Sequence, residues 1–371
     1  MARVAERKRS DNTVPREPLT RNGANMLSAL LAFALACGGG GTTEPVDQLA
    51  CTGRDTAKVP LNDLGKGCYL SFEGGLYPGG SNVPPAGHLA AGLSRARQIQ
   101  PLDAAGRPSP TGRYVLLSIG MSNTTQEFCS GAGTPGSCDP WSFMGQAAAD
   151  PAVNHTTLAI VNGAAGGRSA SYWESAASPE FDRIRSVWLQ PLGLSELQVQ
   201  IVWVKVANPQ PRVSLPDSGA DAYTLVRQMG NIARALKARY PNLRQVYFSS
   251  RIYAGYATTG LNPEPYAYES GFAVKWLVAA QIRQMGGAPV DPLAGSLRYD
   301  DGTAPWIAWG AYLWAAGSRP RSDGLTYLPS DFASDGTHPA QGARQKVGSL
   351  LLAFFKTAET SSCWFLAGER C

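Results

Sequence analysis

At 371 residues, 44% hydrophobic and 16% charged, the chain carries ample apolar material for a buried core, in one large domain or two smaller ones. The formal net charge of +5 is small for that length, and six basic against three acidic side chains fall within the first 21 residues. No block of like charge follows, so a nucleic-acid-binding surface is not expected.

The basic start leads into an uncharged, Leu- and Ala-rich stretch at residues 26–36, followed by Cys37 and four glycines. A helix needs about 20 residues to span a bilayer, so this stretch reads as a secretory signal. Its ending, Ala34-Leu35-Ala36-Cys37, resembles the lipobox of bacterial lipoproteins, with Ala34 where Leu is more usual. That resemblance implies a lipidated Cys37 and a membrane anchor facing the periplasm or cell surface; plain secretion is the alternative. Residues 38–50 then form a flexible tether, and residues 51–113 an N-terminal extension packing on the core. Without Cys37, six cysteines remain at 51, 68, 129, 138, 363 and 371. In an oxidising compartment their simplest pairing is 51–68, 129–138 and 363–371, with free or differently paired thiols left open. Spacing and the three His of the chain give no zinc signature.

Short β-branched or aromatic runs with little polar alternation lie at residues 114–119, 157–161, 199–206 and 245–249, the pattern of strands buried on both faces. Helical spacing relates Leu225, Met229, Ile232, Ala233 and Leu236, and again Val347, Leu350, Leu351 and Phe354 after Pro339. This β-α alternation predicts an α/β fold, a three-layer α/β/α sandwich with a central parallel sheet. Ligands in such sheets bind beyond the carboxyl ends of the strands.

Three segments follow strands. Gly120-Met121-Ser122-Asn123 turns off the first strand with its glycine and exposes the Ser122 hydroxyl and backbone N–H; an ordinary helix cap has the same look. After the second strand, Gly166-Gly167-Arg168-Ser169 lets a backbone N–H approach a ligand, as an oxyanion site requires, although a flexible turn would use the same glycines. At the end of the third, the Asn208 amide can donate to the same oxyanion, or Asn208 before Pro209 simply forms a turn. Near the C-terminus, Asp335-Gly336-Thr337-His338-Pro339 opens the last helix and places a carboxylate three residues before a histidine. Such a segment supplies a base and its orienting carboxylate for a distant serine.

The order of these four segments resembles the SGNH hydrolases, the GDSL-like esterases and lipases, and the glycine segment is most similar to that of their carbohydrate acetylesterases. The resemblance spans residues 114–356 at the level of motifs and makes residues 114–371 the hydrolase domain. It implies Ser122 as nucleophile, His338 as base and Asp335 as its orienting carboxylate. Backbone N–H groups of Ser122 and Gly167 and the Asn208 side chain form the implied oxyanion hole, with Gly166 as the alternative to Gly167. The chain departs from the family where Met121 replaces a common Asp and where Lys205 and Pro209 replace much of the frame around Asn208.

The implied activity is a short-chain carboxylic esterase, with acetyl groups on carbohydrate as the first substrate class and no metal or cofactor. Alternatives are a lipase or phospholipase acting on longer chains, and a catalytically silent, carbohydrate-binding surface lipoprotein. His88 and His155 are expected to make local hydrogen bonds, and Asp331 is the rival of Asp335. Trp306, Trp309, Tyr312 and Trp314, with Tyr172 and Trp173, would stack on sugar faces if exposed on one rim and are core if buried. The aromatic, glycine-rich loop at residues 72–82 is a candidate wall of the pocket.

Overall fold

The computed structural model describes residues 57–131, 137–369 and 371; the readings made above for residues 1–50, including Cys37, and for the Cys51 half of the 51–68 bridge lie outside them. A short helix, α1 (Leu61–Leu64), precedes an antiparallel hairpin of β1 (Cys68–Tyr69) and β2 (Phe72–Glu73), and α2 (Ala86–Ala96) leads to the main sheet. The chain continues through β3 (Tyr114–Gly120), α3 (Ser122–Phe128), α4 (Phe143–Ala149), β4 (Leu158–Asn162), α5 (Pro179–Arg183), β5 (Val199–Lys205) and α6 (Asp221–Arg239). It closes with β6 (Gln245–Phe248), α7 (Tyr266–Met285), β7 (Trp306–Trp309), α8 (Gln341–Thr357) and α9 (Ser362–Phe365).

The five strands β4-β3-β5-β6-β7 lie side by side in that order, all parallel. Successive strand residues point to opposite faces, and each face is covered by helices. Val115, Leu117 and Ile119 of β3 pack with Leu225, Met229 and Leu236 of α6 and Phe272 and Leu277 of α7. Leu116, Ile201 and Trp203 pack on the other side with Phe143 of α4, Val347, Leu351 and Phe355 of α8, and Phe365 of α9. The fold is thus a three-layer α/β/α sandwich. The buried stripe of α8 runs Ala343, Val347, Leu351, Phe355, so Leu350 and Phe354 sit at its half-buried margin rather than in its centre.

Residues 72–82 do not wall the pocket. Phe72 packs edge-on against Trp276, Lys275 Nζ donates to the Gly74 and Glu73 carbonyls at 2.5 and 2.8 Å, and Trp309 Nε1 donates to Leu76 O at 2.6 Å. These contacts hold the loop against α7 and β7, where its aromatic rings gain more by burial than by lining an open cleft. The aromatic residues before the His338 turn are core: Trp306, Trp309, Tyr312, Trp314 and Trp173 are all buried, and Tyr172 is exposed. Disulfides join Cys129 to Cys138 and Cys363 to Cys371.

Candidate active site

The order β4-β3-β5 reverses chain direction around β3, so loops leaving β3 and β5 diverge to opposite faces and leave a crevice at their carboxyl ends. Gly120 makes the exit from β3 possible. A Cβ there would lie 2.2 Å from Lys205 O and 2.5 Å from Thr124 Oγ1, so no larger residue fits between β3, β5 and the first turn of α3. Ser122 opens α3 just beyond it.

Its Oγ lies 2.9 Å from His338 Nε2, and His338 Nδ1 lies 2.5 Å from Asp335 Oδ2. Asp335 Oδ1 accepts from the backbone N–H groups of Thr337 and His338, both at 3.0 Å. Partial burial raises the Asp335 pKa, but the His338 backbone and ring donors and the Thr337 N–H outweigh it and hold the carboxyl at about 2. The ionised carboxylate takes the Nδ1 proton as its hydrogen bond, which leaves Nε2 as the acceptor facing Ser122. The turn carrying both residues is fixed by Thr258 N–H donating to Asp335 O at 3.0 Å and by the close approach of Gly336 to Tyr256.

Ser122, Gly167, Asn208 and His338 line one cavity of about 80 Å³, together with Met121, Ala207 and Leu261. Gly167 has a left-handed φ of +74° and no heavy atom within 4 Å of where a Cβ would stand, so its backbone borders open space. Asn208 Nδ2 donates to Gln228 Oε1 at 2.5 Å, which orients the amide and leaves its second N–H. Ser122, Gly167, Asn208 and His338 therefore meet at one cavity, with Asp335 behind the His338 ring. Gly166, the alternative to Gly167, is not among the residues lining that cavity. A larger cavity, about 600 Å³, lies near the amino ends of β3 and β4 between Leu102, Ala148, Val153 and Leu194, away from the Ser122–His338 pair.

Asp331 is committed elsewhere, with Oδ2 receiving Lys346 Nζ at 2.5 Å and Leu328 N–H at 2.7 Å. His88 is buried with Nε2 2.9 Å from Ile307 O, and burial lowers its pKa to about 4. His155 Nε2 lies 3.0 Å from Asp150 O on the surface. Among the described residues, no group of three or more His, Cys, Asp or Glu is arranged to hold a metal ion, and no helix is long and apolar enough to cross a membrane.

Sequence reasoning missed several residues around the cavity. Asn123 Nδ2 donates to Thr337 O at 3.0 Å, and beneath the site Lys205 Nζ and the Glu127 carboxylate form an ion pair with both side chains wholly buried. Arg251 and Asn262 line the cavity itself. Arg251 stands three residues beyond the carboxyl end of β6, and that position was its available signal.

No known family's sequence profile matches the chain, and no curated protein matches it in sequence. Solved structures similar to it include a carbohydrate esterase family 2 enzyme plus carbohydrate binding domain from Corynascus thermopiles (Myceliophthora fergusii), at 13% identity and TM-score 0.36 over 67% of this chain and 68% of that one. Another is an extracellular lipase from Streptomyces rimosus, at 13% identity and TM-score 0.32 over 65% and 99% of the two chains. A third is a family two carbohydrate esterase from Clostridium thermocellum in complex with cellohexaose, at 14% identity and TM-score 0.35. That match covers 67% of this chain and 65% of the Clostridium chain, slightly under two thirds of the latter.

Proposed function

We propose that the protein is a serine esterase of the SGNH type that hydrolyses short acyl esters, with acetyl groups on carbohydrate as its substrate class. The observation that carries this reading is the run of contacts from Ser122 Oγ to His338 Nε2 at 2.9 Å and from His338 Nδ1 to Asp335 Oδ2 at 2.5 Å, opening into one small cavity.

In the first step Ser122 Oγ attacks the ester carbonyl while His338 Nε2 takes its proton, and Asp335 stabilises the imidazolium. The tetrahedral oxyanion is held by the N–H groups of Ser122 and Gly167 and by Asn208 Nδ2. Collapse expels the alcohol with the His338 proton and leaves an acyl-Ser122. Water, deprotonated by His338, attacks that ester, and the second collapse returns the proton to Ser122 and releases the acid. The proton that His338 takes in each half-reaction is returned on collapse, and no atom changes oxidation state, so no redox partner enters.

The likeness of the glycine segment to that of carbohydrate acetylesterases favours a short acyl group over the long chains of a lipase, and the bonded Ser122–His338 pair weighs against a silent binding protein. The Cys129–Cys138 and Cys363–Cys371 bridges favour an oxidising compartment, which fits export through residues 1–37 and anchoring at a lipidated Cys37. Release of the protein from membranes by Cys37→Ser would support that anchor, and retention would refute it.

Hydrolysis of nitrophenyl acetate by the protein and its Ser122→Ala variant tests the enzymatic reading. Turnover that disappears in the variant is expected. Equal turnover by both, or none by a folded protein that also resists serine-reactive phosphonate, refutes it.

A further inference from the structure

The Arg251 side chain is the least explained group at this site. It is 1% exposed, lines the cavity with Ser122 and His338, and has no hydrogen-bond partner for Nε or Nη2 among the described residues. Leaving a buried donor unsatisfied is costly, more so for a charged group, so such a group calls for a reason. The three carboxylates nearest in charge to it, Glu127, Glu264 and Asp335, are already engaged. Glu127 binds Lys205, Glu264 accepts from Trp314 Nε1 at 2.7 Å, and Asp335 binds His338. Among the described residues, none accepts from its Nε or Nη2.

Asn262, on the same cavity and 6% exposed, has an equivalent gap. Its Nδ2 donates to Asn208 O at 3.1 Å, while Oδ1 has no partner among the described residues. Two unfilled donors on one charged side chain and one unfilled neutral acceptor thus lie, shielded from solvent, on residues that line the cavity beside Ser122.

We propose that Arg251 and Asn262 form a specificity subsite for a carboxylate-bearing sugar ester. Nε–H and Nη2–H lie parallel on one edge of a guanidinium, and that edge matches the two oxygens of a carboxylate. Asn262 Oδ1 then receives a hydroxyl of the same sugar. In the present conformation all three atoms are shielded from solvent, so the carboxylate and hydroxyl are received as both side chains turn towards the cavity they already line. An aliphatic group in the same place would leave all three polar atoms unsatisfied, and sites built to hydrogen-bond a substrate reject analogues lacking the partner. The inference rests on the esterase reading above and narrows its substrate to acidic carbohydrate.

The test compares acetate release from an acetylated methyl glucuronoside and the matching acetylated methyl glucoside, which differ at C6 in carboxylate against hydroxymethyl. The full chain is expected to favour the glucuronoside by about tenfold or more in kcat/KM, the effect of one charge-assisted hydrogen-bond pair. Arg251→Gln is expected to bring that ratio to about one, and Arg251→Lys to restore part of it, since charge returns without the fork. The ratio is the readout, because loss of a purely structural arginine lowers both rates alike. A ratio near one in the unmodified protein overturns the proposal, as does an Arg251→Gln variant that keeps the preference. If Arg251→Gln does not fold, the unmodified protein and Arg251→Lys decide it. Turnover of nitrophenyl acetate with neither glycoside hydrolysed overturns the subsite alone, whereas no turnover of any ester removes the esterase reading with it.

Discussion

Asn123 Nδ2 donates to Thr337 O at 3.0 Å, joining the residue after Ser122 to the residue before His338. Asn123 is 2% exposed and Thr337 is also 2% exposed, so neither group has water as an alternative. Asn123→Ala strands the Thr337 carbonyl and releases the His338 turn from α3. The expected cost is about 1–3 kcal/mol in denaturant unfolding. Turnover is expected to fall by roughly ten- to a hundredfold, because small misplacements of reacting groups are expensive. Unchanged kcat in a destabilised variant would make this bond purely structural.

If Asn208 is an oxyanion donor as proposed, Asn208→Ala is expected to lower kcat by about 10²–10³ with little change in KM. Gln228 touches the other side of the same amide, with Oε1 2.5 Å from Asn208 Nδ2. Gln228→Ala should therefore reproduce a fraction of the kcat loss by letting the amide rotate. Measuring kcat and KM separately for both variants checks the assignment, and an Asn208→Ala variant altered in KM alone would contradict it.

Asp335 links stability to acid. Its folded pKa of about 2 lies below the roughly 3.9 of an unfolded Asp, so its contribution is complete above that unfolded value and is lost as pH falls through about 2. Asp335→Asn should be less stable than the parent near neutral pH, with the difference shrinking as the pH falls from about 4 towards 2. The side chain is 27% exposed, so the gap is smaller than the full shift implies. Urea unfolding across that range measures it, and a gap that widens towards pH 2 would reverse the sign. Turnover should fall on the order of 10⁴ because the wrong imidazole tautomer is favoured.

Lys205 and Glu127 are both 0% exposed, with Nζ 2.6 Å from Glu127 Oε1. Lys205→Met alone leaves a buried carboxylate without its cation and is expected to cost about 3–5 kcal/mol. The double variant with Glu127→Leu should recover most of that loss, because an apolar pair of similar volume avoids the desolvation of two charges. Thermal or denaturant unfolding of the two singles and the double gives the coupling directly. Additive losses would show that the pair does not act as a unit.

Strands buried on both faces were legible because β-branched runs without polar alternation have few other uses, and β3, β4, β5 and β6 fall where those runs predicted. The fifth strand, Trp306–Trp309, escaped because its two tryptophans in four residues read equally well as a binding rim. Helix α7 was illegible for the opposite reason. From Ala267 to Gln281 every residue of it is buried, so no polar face marks the helical period. The candidate site was legible where a short motif fixes its own geometry, as in Asp335-Gly336-Thr337-His338. Arg251 and Asn262 carry no local spacing, and their relation to Ser122 arises when separate crossover loops meet at the strand ends.

Ser122 and His338 stand 216 positions apart, and His338 leads directly into α8, whose Phe355 packs with Trp364 and Phe365 of α9. Ser122, the proposed nucleophile, is therefore translated long before His338, its proposed base. Under the proposed function, a chain still on the ribosome holds a serine without its base, and ester cleavage waits until His338 and α8 have been made. Under the same proposal, loss of the segment after β7 would remove His338 together with the α8 and α9 side chains that cover one face of the sheet, which makes turnover a gauge of whether that segment is in place.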